Sequence, residues 1–365
     1  MAANSEKITS AGGDAPKGRR RISTRAVDGR LRKWKVSMRS EVVRNGWRDP
    51  RVLFGVQLLA CLCAVFGVTD WHSSVADEMN ATFSVGKSNI DVHIEPGDRQ
   101  VSDQDLMKWV HWASDSVTTY YRRFPVPELQ LHIIPTHGSG VHGGKTFGEE
   151  YGGSIRIHVG AETTREKLQN DWMLTHEMIH LSFPSVAENH HWIEEGTATY
   201  VEPIARVRAG HMDAQEMWFE LVRDLHQGLP EEGDQGLDNT HTWARTYWGG
   251  ALFCLLADVE IHKQTNNKKG LEDALRGILN AGGDIRREWE LSKAFTIGDE
   301  ATGVAVLVPL YEKMKNQPFA VDLVAMWKEL GVERAGDTVR FVDSAPLAKV
   351  RDGITWGGKA ARDKN

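Results

Sequence analysis

Two histidines four residues apart with an acid between them, His176-Glu177-Met178-Ile179-His180, constrain this chain more than any other segment. On an α-helix such residues lie one turn apart on the same face. His176 and His180 can then meet one metal ion, each at about 2.0–2.1 Å. Glu177 is rotated about 100° from His176, so its carboxylate can reach a metal-bound water without becoming a ligand. Pro184 requires the helix to end soon after His180, because proline lacks a backbone donor and clashes with the preceding turn. The chain can then turn back into a second helix near Trp192.

That second segment reads Trp192-Ile193-Glu194-Glu195-Gly196-Thr197-Ala198-Thr199-Tyr200. Either Glu194 or Glu195 could supply a third ligand and leave a fourth position open to water, as a catalytic rather than a structural zinc site requires. His190 and His191 read as polar loop residues ahead of this helix. On these residues the chain is expected to be a zinc-dependent peptidase, working on peptide bonds through metal-activated water.

The two segments resemble the gluzincin metallopeptidases, especially the aminopeptidase-N and glycyl-aminopeptidase families, in which HExxH is followed by a W-x-x-E-G-x-x-x-Y helix. The resemblance implies Glu195 as the third ligand, one zinc ion per chain, and Glu202, two residues past Tyr200, as an acid behind the ligands. Fourteen residues separate His180 from Glu195, fewer than in aminopeptidase N, which places the closer likeness with the glycyl-aminopeptidases. Tyr247-Trp248-Gly249-Gly250 is similar to a Y-E-K-G segment whose Tyr stabilises an oxyanion, although the Glu and Lys are absent here. Tyr247 is its counterpart. Gly148-Glu149-Glu150-Tyr151-Gly152-Gly153 is loosely similar to G-x-x-E-N-x-G, which would make Glu149 the group that binds a substrate amine; a solvated acidic turn is the plainer reading. The likeness extends over roughly residues 83–354 and is specific around 176–202. It implies an α+β, thermolysin-like zincin domain, a small sheet plus the HExxH helix, followed by a helical C-terminal part. The division expected is 73–205 for sheet and metal-binding helices and 206–365 for the helical part.

Period-two patterning marks strands at 81–95, 129–134 and 154–159, and 103–123 has helical spacing. Between the last two strands a glycine-rich stretch, 137–144, reads as a flexible flap, with His137 and His142 solvated. Residues 154–159 are expected to be the edge strand that pairs with a substrate backbone. Helices are expected at 271–279, 319–330 and 345–354.

Charge is distributed unevenly. Residues 1–51 hold 14 Lys and Arg against 5 Asp and Glu, a net +9, so the remainder carries −15 of a total −6. This basic arm is expected to be disordered and cytoplasmic. In 52–68 the only polar side chains are Gln57, Cys61 and Cys63. Seventeen apolar residues behind positive charge suggest a membrane anchor spanning 52–69, or the core of an export signal. The catalytic part would then be extracytoplasmic on a single-pass protein, or secreted or periplasmic after cleavage. Leu58-Leu59-Ala60-Cys61 fits a lipobox, and Met38 is a conventional start for an export signal. Cys254 is the one cysteine beyond this segment, so the exported part can form no internal disulfide. The partner expected is a peptide or protein, with the membrane engaged through 52–68 if uncleaved; no nucleic-acid motif is present. The rival reading is a membrane-tethered, non-catalytic peptide-binding scaffold, which would have no need of Glu177.

Overall fold

The computed structural model describes residues 77–363. They belong to a unit running from Asp70 to Asn365; the unit Met1–Thr69 lies outside the described residues, and with it the basic arm, the apolar segment 52–68, the lipobox and Met38. Among the described residues no helix is long and apolar enough to cross a membrane. The expected single-pass membrane location is therefore corrected: no helix among the described residues supports it.

Five strands form one mixed sheet in the order β1-β2-β3-β5-β4: β1 (Met79–Val85), β2 (Ser88–Ile94), β3 (Glu128–Thr136), β4 (Val141–Gly148) and β5 (Gly152–Gly160). The stretch expected as one strand over 81–95 is a hairpin, turned at Gly86, whose φ of 62° is left-handed and needs no Cβ clearance. The parallel pairs β2/β3 and β3/β5 carry Ile90, Val92 and Ile94, Leu129, Leu131 and Ile133, and Ile155, Ile157 and Val159, all buried. The alternate residues, among them Asp91, His93, His132, Arg156 and His158, are more exposed, so one face of the sheet is core and the other wet.

Between β2 and β3 runs α1 (Asp103–Tyr121), started by Ser102, whose hydroxyl accepts from the Asp105 N–H, and stopped by Arg122 in a left-handed conformation. Leu106, Trp109, Val110, Ala113, Val117 and Tyr120 recur at helical spacing and enter the same core as the sheet. After β5 come α2 (Arg165–Gln169), α3 (Met173–His180) and α4 (His191–Ala209). Then follow α5 (Ala214–Asp224), a π-helical turn (Arg245–Gly249), α6 (Gly250–Gln264), α7 (Leu271–Asn280), α8 (Leu291–Thr302), α9 (Leu307–Met314) and α10 (Leu323–Leu330). The small hairpin β6 (Val332–Arg334) and β7 (Val339–Phe341) precedes α11 (Ala348–Asp363).

Two expectations change. Residues 154–159 lie inside β5, which is interior, paired to β3 on one side and β4 on the other. The edge is β4, much of it the stretch read as a flap. Its glycines hid the strand pattern, since Gly143 and Gly144 carry no side chain to alternate.

Helices α4 and α6 approach so closely that Gly196 and Gly250 meet backbone to backbone. A Cβ on Gly250 would lie 2.0 Å from the Trp192 carbonyl oxygen and 2.7 Å from Gly196 Cα. Gly250→Val is expected to destabilise the protein by at least ~1–3 kcal/mol, as overpacking does, seen as a lowered midpoint in urea unfolding. An unchanged midpoint would contradict this crossing.

Candidate metal centre

The start of α3 is anchored by Asp171, whose Oδ2 accepts from the Leu174 N–H at 3.1 Å and from Trp109 Nε1 of α1 at 3.0 Å. One turn on, His176 is buried, and His180 follows it on the same face with its ring 4.9 Å away. Helix α4 brings Glu195 to them. Its Oε2 lies 3.2 Å from His176 Nε2 and 3.6 Å from His180 Nε2. Ligands at about 2.0–2.1 Å from a tetrahedral ion lie roughly 3.3–3.4 Å apart, so these separations suit a zinc ion. The donor set, two imidazole nitrogens and a carboxylate oxygen, is one zinc accepts.

Charge at the three groups is interdependent. Burial alone would raise the Glu195 carboxyl, but the imidazoles of His176, His180 and His191 overcome it and hold the group well below the usual carboxylate range. Burial lowers His176, whereas at His180 the Glu195 carboxylate outweighs burial and raises it. Proton and metal compete for these nitrogens, so metal affinity should fall with falling pH.

Glu194 is engaged elsewhere: Oε1 accepts from the Val186 N–H and Oε2 lies 2.8 Å from His191 Nδ1. His191, read from sequence as loop, opens α4 and places Nε2 3.3 Å from Glu195 Oε1. Its hydrogen bonds to Glu194 and Glu195 raise it to about 10.

Glu177 faces β4. Its Oε2 accepts from Thr146 Oγ1 at 2.5 Å, and a Cβ on Gly144 would fall 2.5 Å from its Oε1. The strand thus orients the carboxylate with a hydroxyl and makes room for it with a glycine. Tyr247 enters from the π-helical turn, its ring stacked 6.2 Å from His176. Arg245 fixes that turn by pairing with Asp234 at 2.7 Å and donating to the Gly228 carbonyl. Burial, then the Glu195 and Glu177 carboxylates, push the Tyr247 phenol upward, so it keeps its proton and remains a donor. These residues line a cleft of about 520 Å³, bounded on one side by Gly144–Gly148 of β4.

Glu202 and Glu149 are placed differently from the ligands. Glu202 is buried one turn before Arg206 and accepts from it at 3.0 Å, with no hydrogen bond to either imidazole among the described residues. Burial outweighs Arg206 and raises its carboxyl to about 8. Glu149 is exposed in the β4–β5 turn, where its backbone bonds Gly152, outside the cleft lining.

Thr146 and Asp238 carried no sequence signal. Asp238 accepts from Trp192 Nε1 at 2.8 Å and from the Tyr311 hydroxyl at 2.7 Å, and lies 3.0 Å from His190 Nδ1. It therefore fixes the first turn of α4. In a second buried cluster, Asp258, His262 and Glu272, Arg208 lies 3.3 Å from Glu272, while Asp258 accepts from the Tyr200 hydroxyl and the Leu271 N–H.

No protein-family model matches the sequence, and no curated protein sequence matches it. Among solved structures the fold is similar to an aminopeptidase N family protein from Idiomarina loihiensis, with TM-score 0.54 and 13% identity over 70% of this chain and 50% of that one. An M1 zinc metallopeptidase from Deinococcus radiodurans also aligns, with TM-score 0.44 and 14% identity over 67% and 52%. The chain spans about half the length of these proteins, and at such identity the likeness is one of fold. The chain shares the fold of that aminopeptidase N family protein.

Replacing His176, His180 or Glu195 with Ala should each abolish stoichiometric zinc retention after dialysis, measured by elemental analysis, because two remaining ligands do not hold the ion. Zinc loss from Glu194→Ala with retention in Glu195→Ala would reverse the assignment. For Glu202, a folded-state pKa above the unfolded one means its stabilising contribution is complete below about 4.5 and is lost as pH rises through about 8. Thermal unfolding from pH 6 to 9 should show that loss in the wild type and less of it in Glu202→Gln. Parallel curves would contradict it.

Proposed function

We propose that this chain is a zinc-dependent peptidase of the thermolysin-like zincin arrangement, holding one zinc ion per chain on His176, His180 and Glu195. The observation that carries this is the Glu177 carboxylate, which Thr146 fixes at 2.5 Å beside the three ligand side chains rather than among them. A binding-only site needs no such base. In this reading residues 73–205 supply the sheet and ligands, while 206–365 supply Tyr247 and close the cleft.

Zinc, when bound, lowers the pKa of a coordinated water to about 7 and polarises a carbonyl. Glu177 takes the proton of the attacking water and passes it to the leaving amine. Thr146 holds one carboxylate oxygen, leaving the other to make that transfer. Tyr247, proton-bearing and aimed into the cleft, donates to the oxygen of the scissile carbonyl as negative charge builds there. The unpaired edge of β4 offers an extended peptide backbone hydrogen bonds, with Phe147 beside the cleft. Glu149 stands outside the lining of that cleft.

Glu177→Gln is nearly isosteric and should keep zinc while peptide hydrolysis falls at least ~10²-fold. Tyr247→Phe should lower kcat with little change in KM, as expected of a contact made mainly in the transition state. Full peptidase activity in Glu177→Gln would overturn the mechanism.

A further inference from the structure

A second cavity of about 270 Å³ opens beside the metal cleft and shares His176 and Tyr247 with it. A side chain adjacent to a carbonyl held at the cleft would therefore reach into it. Its walls are of two kinds. Trp172, Trp243 and Trp248 present indoles, and two of these are unusually open for their size, Trp172 at 47% and Trp243 at 62% exposure. Trp172 packs edge-on against His176, and Trp243 stacks on Tyr247 at 5.5 Å, so both are fixed to the cleft itself.

The other wall is charged: Glu202, Glu220 and Asp224, with Arg223 among them. Two of these carboxylates are paired, Glu202 with Arg206 at 3.0 Å and Asp224 with Arg223 at 2.5 Å. Glu220 makes no hydrogen bond or ion pair among the described residues, although it is only partly exposed and burial raises its carboxyl. With Glu202 held largely protonated by burial, Glu220 is the carboxylate of this indole-lined cavity that has no direct partner, although the Arg206 and Arg223 charges also reach it. Thr199 adds a buried hydroxyl without a partner. A half-desolvated carboxylate facing aromatic surfaces is stabilised by a cation that also stacks on those faces. A long side chain with an apolar stem and a charged head satisfies both walls.

We propose that this cavity is a subsite for an arginine or lysine side chain of the peptide, next to the bond that is cut, with Glu220 its counter-ion. The assignment rests on the peptidase reading. It also gives α5, whose contribution to the metal site is otherwise indirect, a part in substrate choice.

The test uses the full zinc-loaded chain and peptide pairs identical except for arginine against citrulline, and lysine against norleucine, on either side of the scissile bond. At one position the cationic member should be preferred in kcat/KM by at least ~10-fold, the scale of a charge-assisted hydrogen bond. Glu220→Gln should bring that ratio toward one, and Glu220→Asp should restore part of it. Equal rates for arginine and citrulline peptides in the wild type, or a ratio unchanged in Glu220→Gln, would overturn the proposal. The same pairs titrated onto Glu177→Gln, read by quenching of tryptophan fluorescence, separate the two claims. Tighter binding of the arginine peptide with no hydrolysis by the wild type supports the subsite and sinks the peptidase; hydrolysis without discrimination does the reverse.

Discussion

The Glu195 carboxylate is the group on which the rest of this structure depends. It is buried, with imidazole nitrogens at 3.2, 3.6 and 3.3 Å around its two oxygens. A charge taken out of water at such a place is costly unless positive charge or strong donors meet it. Three imidazoles converging on one acid supply such donors, and a divalent cation among the two α3 nitrogens and the acid would supply the charge in full. The surrounding elements are arranged to hold that convergence.

The arrangement comes from close backbone approach more than from any single side chain. Gly196, directly after Glu195, lets α4 lie against Gly250 of α6. The π-helical turn that precedes Gly250 therefore sets Tyr247 beside His176 at the candidate metal site, and Arg245 locks that turn from behind. At the other end Asp238 pins Trp192 and so fixes where α4 begins. On the far side of the cleft, Gly144 and Thr146 of β4 adapt the strand to Glu177. Four segments distant in sequence thus agree on one point in space.

What could be read in the sequence was what repeats at short range. The i, i+4 histidines, the periodicity of α1, and the alternating β3 and β5 all follow from local spacing. The edge strand could not be read that way, because glycine carries no alternation, and β4 passed for a loop. Pairing order is non-local, so the choice of 154–159 as the edge failed even though its strand character was right. His191 offered no pattern, since a polar residue at a helix start is ordinary until Glu195 is found beside it. Thr146 acts through a residue 31 positions away and Asp238 through residues 46, 48 and 73 positions away. The apolar segment 52–68, whose composition argued for a membrane span, lies outside the described residues, among which no helix is long and apolar enough to cross a membrane.

X-ray absorption at the zinc K-edge of the purified protein tests the central claim most directly. The account predicts a first shell of nitrogen and oxygen at about 2.0–2.1 Å, with outer-shell scattering from two imidazoles and no sulfur. A protein that retains no zinc, a sulfur ligand, or a third imidazole such as that of His191 in place of the Glu195 carboxylate would contradict it.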